Sequence, residues 1–202
     1  MCGLFAYMGT DTPDPQLLGL AAAGAATRGP HGYGWVAQDW TGRGHVRHGI
    51  GKLPADDAAQ LRAPRILGHA RLATMGAAHD DPDGLQPVYS GGHWLAHNGN
   101  VYNAAKLDAD APTDSAALAT CYSGHRLHGG LPPVPAMLAT IGQADQRAWA
   151  LLILDDAGML LASRHQLPLW WLATSTGSYY SSRPLPGARL VSEDAVHAED
   201  AW

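Results

Sequence analysis

Apolar residues in this chain fall mainly in short runs separated by Gly, Pro, Asp and Asn. Short apolar runs bounded by turn residues predict strands more often than helices. Residues 3–9 predict a buried strand that begins directly after Cys2. Residues 15–27 predict a helix, with Asp14 as N-cap and Pro15 at the first helical position, where proline's missing N–H costs nothing. Residues 32–38 and 45–50 predict two strands joined through Thr41, Gly42, Arg43 and Gly44, a hairpin signal. Residues 65–71 predict a further strand, and residues 88–97 two short ones around Gly91 and Gly92. Thr113 and Asp114 open a helix running towards His128, and residues 132–141 suggest a second, shorter helix. The last third is nearly all strand, at 148–154, 159–163, 169–172 and 179–182, with Asp155 to Gly158 as a turn.

Strands on both sides of a central helical region predict an α+β fold: two antiparallel sheets packed as a layered sandwich with helices outside. There is no internal repeat, low-complexity linker or break in composition, so residues 1–202 are expected to form a single domain. Hydrophobic residues make up 46% of the 202 positions and charged residues 15%, ample material for a core. A chain of this length buries roughly 70% of its unfolded surface.

Charge narrows the partners. The formal net charge is -5 with no run of Lys or Arg, whereas nucleic-acid binding needs a basic stripe to displace counterions. No stretch reaches the ~20 apolar residues of a membrane span, and no basic segment with an apolar run marks a secretory signal. Two cysteines, Cys2 and Cys121, make no disulfide framework, so a cytoplasmic setting with Cys2 as a free thiol is expected. His125 and His128 lie three apart on the predicted helix without a carboxylate or cysteine at ligand spacing, so no metal site is expected. No phosphate-loop motif is present, and no cofactor is expected.

Five segments carry candidate chemistry. Removal of Met1 ahead of Cys2 would expose a residue bearing both a thiol and an α-amine. Such an amine has a pKa near ~7.7–8.0, so one residue could serve as nucleophile and general base. Arg28-Gly29 leads into a glycine-rich strand whose glycines suit either a structural turn or a close approach to a ligand. Arg71 ends the strand 65–71, and its guanidinium fork fits a carboxylate. His97, Asn98 and Gly99 follow a strand; they read as a turn, or as an Asn98 amide and Gly99 N–H converging on one oxyanion. Thr113-Asp114-Ser115 reads as a helix N-cap, or places Asp114 to accept hydrogen bonds from a substrate ammonium.

The order of these segments, with Trp149 to Leu152, Ala162 to Arg164, Pro168-Leu169 and Tyr180 to Pro184, resembles the class II glutamine amidotransferase domain along nearly the whole chain. The resemblance implies a four-layer αββα sandwich of the N-terminal-nucleophile (Ntn) hydrolases, and L-glutamine as substrate. It implies Cys2 as nucleophile with its α-amine as acid and base, and Asn98 and Gly99 as oxyanion hole. Arg71 would clamp the substrate α-carboxylate and Asp114 its α-ammonium, with Thr74, Arg28 and His97 also at the substrate. Two departures stand out: Ala116 replaces a common Glu, and Pro30-His31 follows Arg28-Gly29 in place of an acidic or small polar residue. With no ammonia-consuming domain expected after Trp202, the ammonia is expected to pass to a separate synthase subunit. A hydrolase acting on a small γ-glutamyl conjugate is the alternative, and a non-catalytic binding protein on the same fold is a third reading.

Overall fold

The computed structural model describes residues 1–73 and 80–200. In chain order the elements are β1 (Gly3–Gly9), α1 (Pro15–Ala26), β2 (Gly32–Gln38), β3 (Gly44–Ile50), α2 (Ala55–Ala59) and β4 (Arg65–Arg71). A 3-10 turn (Pro82–Gly84) precedes β5 (Val88–Ser90), β6 (His93–Gly99), α3 (Ala104–Leu107), α4 (Asp114–Leu127) and α5 (Pro133–Gln143). The chain continues through β7 (Trp149–Leu154), β8 (Met159–His165), β9 (Trp170–Ala173), β10 (Gly177–Ser181), β11 (Arg189–Leu190) and β12 (His197–Asp200).

Two antiparallel sheets result, one ordered β11-β9-β10-β1-β4-β2-β3 and the other β12-β8-β7-β6-β5. Alternation of side chains along each strand sorts the core into three layers. Phe5 and Tyr7 of β1 face α1, with Leu18, Ala21, Ala22 and Ala25. Leu4, Ala6 and Met8 of the same strand face the second sheet, meeting Ala150, Leu152 and Leu154 of β7. On the far side of β7, Leu151 and Ile153 pack under α4 and α5, against Leu118, Tyr122, Ala136 and Met137. Strands buried on both faces explain why β1 and β7 read as unbroken apolar runs rather than alternating ones. The architecture is the expected αββα sandwich.

Small residues set the spacing at the start of the chain. A Cβ on Gly3 would lie 2.3 Å from the carbonyl oxygen of Ala25, so glycine here lets α1 settle directly on β1. Asp14 caps α1 as expected, accepting from the N–H groups of Gln16 and Leu17. Thr113 caps α4, accepting from Ala116 N–H, so Asp114 occupies the first helical position.

Several elements lay outside the expectation. Helices α2 and α3 are five and four residues long, β11 two and β12 four. Such pieces are too short to show a period, and tertiary contacts decide them. Strand β6 runs on to Gly99 and β8 to His165, beyond the expected ends.

Candidate active site

Pairing of β1 with β4 brings Gly3 opposite Ala70, which places Cys2, one residue earlier, beside Arg71 and Leu72 at the strand's end. The Cys2 sulfur lies 3.3 Å from the Leu72 N–H, which donates to it. From the second sheet, the end of β6 delivers Asn98: its Oδ1 accepts from the Cys2 nitrogen at 2.9 Å. Asn98 is buried, and its Nδ2 finds no partner among the described residues. A buried unpaired amide N–H costs stability unless something else uses it, which marks Nδ2 as a donor awaiting an acceptor.

Cys2, Arg71, Asp81, Gly84, Gln86, His97, Gly99, Asp114 and Ser115 all line one cavity of about 240 Å³. That is just under the ~300–1,000 Å³ of sites for drug-sized ligands, room for something of amino-acid size. Arg71 and Asp114 thus present a cation and an anion to one space, beside the thiol. Asp114 is fixed by the Val101 N–H, which donates to its Oδ2 at 2.9 Å.

The remaining expected residues stand around this cavity in supporting positions. Arg28 does not line it; its Nε donates to the Cys2 carbonyl at 2.8 Å, fixing that residue's backbone. Gly29 has no room for a side chain, since a Cβ would lie 2.3 Å from the Ala70 carbonyl oxygen. His31 accepts from the Ala73 N–H at 3.0 Å through Nδ1, so the departure at Pro30-His31 ties down the segment following β4. His97 is buried, with Nδ1 3.2 Å from the Ser115 hydroxyl and Nε2 3.0 Å from Gln146 Oε1. A Cβ on Gly99 would lie 2.6 Å from that ring and 2.9 Å from the Ala148 carbonyl oxygen, so the ring floors the turn that only glycine fits. Thr74 falls outside the described residues.

Sequence reasoning missed two residues here. Gln86 accepts from the His97 N–H and donates to Ser115, tying β6 to α4 under the cavity. Gly84 lies flat against Arg71, where a Cβ would sit 2.4 Å from a guanidinium nitrogen. The Pro82-Asp83-Gly84 turn signature could have located this segment, but nothing in it points to Arg71.

Burial dominates the electrostatics. It pushes the Cys2 thiol up, with the Leu72 hydrogen bond and Arg71 pulling in the opposite direction. The thiol therefore rests protonated at neutral pH and needs a base to attack. Burial also lowers His97 against the opposing pull of Asp114, and pushes fully buried His69 of β4 down to about 3. Both rings are neutral at pH 7.

His93, Asp155 and Asp156 form a cluster whose possible ligand atoms lie within 4.8 Å of one another. Its centre is already taken by a protein cation: Arg126 reaches Asp155 at 2.9 Å and Asp156 at 3.1 Å. This is a structural ion network joining α4 to the turn after β7, far in sequence from the Cys2 cavity.

Two antiparallel sheets with helices outside form the Ntn-hydrolase sandwich, the fold this chain shares with solved glutamine amidotransferase structures. The chain is similar to glutamine phosphoribosylpyrophosphate amidotransferase from B. subtilis, complexed with ADP and GMP (19% identity, TM-score 0.68), and to an allosteric regulatory enzyme of purine biosynthesis (20%, TM-score 0.73). In each case 98% of this chain is covered but only 49% of the other, so it spans about half their length. It is also similar to a glutamine aminotransferase class-II domain protein from Silicibacter pomeroyi, at 15% identity and TM-score 0.60, with 99% of both chains covered. No protein-family model matches the sequence, and no curated protein matches it.

Proposed function

We propose that the protein hydrolyses the side-chain amide of L-glutamine through Cys2, after loss of Met1. The observation that carries this reading is the convergence of the Cys2 thiol, its nitrogen on Asn98, and the Arg71–Asp114 charge pair about one amino-acid-sized cavity. A zwitterion needs a cation and an anion in fixed places, and the geometry supports that demand. In the mechanism, the α-amine of Cys2 accepts the thiol proton as sulfur bonds to the amide carbon. The oxyanion is held by Asn98 Nδ2 and Gly99 N–H. The protonated amine then donates to the leaving nitrogen, the C–N bond breaks, and ammonia departs from a γ-glutamyl thioester. Water, deprotonated by the same amine, cleaves the thioester to glutamate. No cofactor or metal enters these steps.

Ammonia released into bulk water is mostly protonated and no longer nucleophilic, so the reading extends to a separate synthase subunit that docks and receives it. The experiment is intact-mass analysis before and after treatment with a glutamine-mimicking diazo-ketone. The expected result is a chain lacking Met1 that gains one label, lost in Cys2→Ala together with glutaminase activity. A fully active chain that retains Met1 would overturn the reading.

One observation favours the γ-glutamyl conjugate reading. Cys2 also borders a second cavity of about 160 Å³, lined by Met1, Asn98, Tyr102, Arg147 and Leu167, which loss of Met1 would widen into room for a group larger than ammonia. A higher kcat/KM for γ-glutamyl-p-nitroanilide than for glutamine would favour that reading; the reverse would favour glutamine.

A further inference from the structure

The end of the sandwich remote from Cys2 holds a cavity of about 430 Å³, within the ~300–1,000 Å³ range of small-molecule sites. It opens where the inter-sheet core runs out, beyond Val36 of β2 and Trp94 of β6. Rings of Trp40, Tyr89 and Trp94 line it, the last two with centroids 4.8 Å apart. Arg65, the first residue of β4, lines it too and is only 4% exposed.

The state of Arg65 points to a ligand. One terminal nitrogen donates to the Asp155 carbonyl at 2.9 Å, and Nε has no partner among the described residues. Among the described residues no carboxylate is hydrogen-bonded to it: Asp155, and Asp156 which also lines the cavity, are bound to Arg126, and Asp39 acts on it only through charge. Burial disfavours the guanidinium charge, the three carboxylates offset it without a hydrogen bond, and Nε is left as an unpaired donor for a carboxylate oxygen. Aromatic walls above it suit a flat apolar body.

We infer that this cleft binds a small aromatic carboxylate, its ring among Trp40, Tyr89 and Trp94 and its carboxylate towards Arg65. This site is independent of the glutamine-hydrolysing reading.

Isothermal titration of the full chain with 2-naphthoate tests the inference, alongside neutral 2-naphthalenemethanol and ringless acetate. The expected result is one saturable site, with both controls at least tenfold weaker. Arg65→Met should weaken naphthoate at least tenfold and Trp40→Ala, at an exposed position whose loss spares the core, about fivefold, while Arg71→Met changes nothing. Circular dichroism confirms that each variant is folded. Absence of saturable binding, equal binding of the neutral alcohol, or loss in Arg71→Met with retention in Trp40→Ala would overturn it.

Discussion

At Cys2, the nucleophile of the proposed mechanism, the surroundings keep the thiol protonated. Burial raises its pKa, and the base that the proposed mechanism gives it is its own nitrogen, 2.9 Å from Asn98 Oδ1. Because a free α-amine titrates near ~7.7–8.0, kcat/KM should rise with pH through that range and fall below it, where the amine is protonated and cannot accept the thiol proton. A pH profile measured on the processed chain checks this. Asn98→Ala removes the unpaired Nδ2 donor, and kcat should fall ~10²–10³-fold, the usual loss of one oxyanion donor, with KM changed much less. Gly84→Ala pushes a methyl against the flexible Arg71 guanidinium; steady-state kinetics should show KM for glutamine raised about tenfold, near 1.4 kcal/mol of lost binding, with kcat nearly kept.

Among elements, the join between α4 and the turn after β7 has the largest stake in charge. Asp155 is fully buried, which pushes its pKa up, yet hydrogen bonds from His93, Arg126, Tyr122 and the Ala157 N–H prevail and hold it well below the usual carboxylate range. Its folded pKa is therefore below its unfolded value near ~3.9, so its contribution is full above that pH and fades as acid protonates it. Asp155→Asn removes the buried one of Arg126's two carboxylate partners, leaving half-exposed Asp156, and should cost about 2–3 kcal/mol by urea unfolding at pH 7, short of the full penalty for an unpaired buried charge. The gap between variant and parent should shrink as the pH drops below about 4. Element positions themselves were readable where an apolar run or a cap was strong, as at β1, β4 and α1. The pieces missed, such as α2 and β11, owe their shape to neighbours rather than to their own residues.

For the molecule as a whole, the sandwich brings residues 2, 71, 98 and 114 to one end and the aromatic cleft to the other. If ammonia is handed to a synthase, glutaminase activity should be low alone and rise severalfold with the cognate partner present; a coupled glutamate assay with and without candidate synthases checks this, and no stimulation and no complex would refute it.

The linear pattern was sufficient for the layered α+β architecture, because burial periodicity, caps and turn chemistry are local properties; the candidate residues Cys2, Arg71, Asn98, Gly99 and Asp114 came from the order of short motifs and the resemblance it carries, since each motif alone also fits a turn, a cap or a surface residue. Roles that depend on distance were decided only by the folded chain. Arg28 turns to the Cys2 carbonyl, His31 pins Ala73, His97 becomes a neutral floor under Gly99, and Gly84 and Gln86 enter the site from a segment with no chemical signature of its own. Strand register and the packing of loops against strand ends set these, and both come from contacts between segments far apart in the chain, which no short stretch of residues encodes.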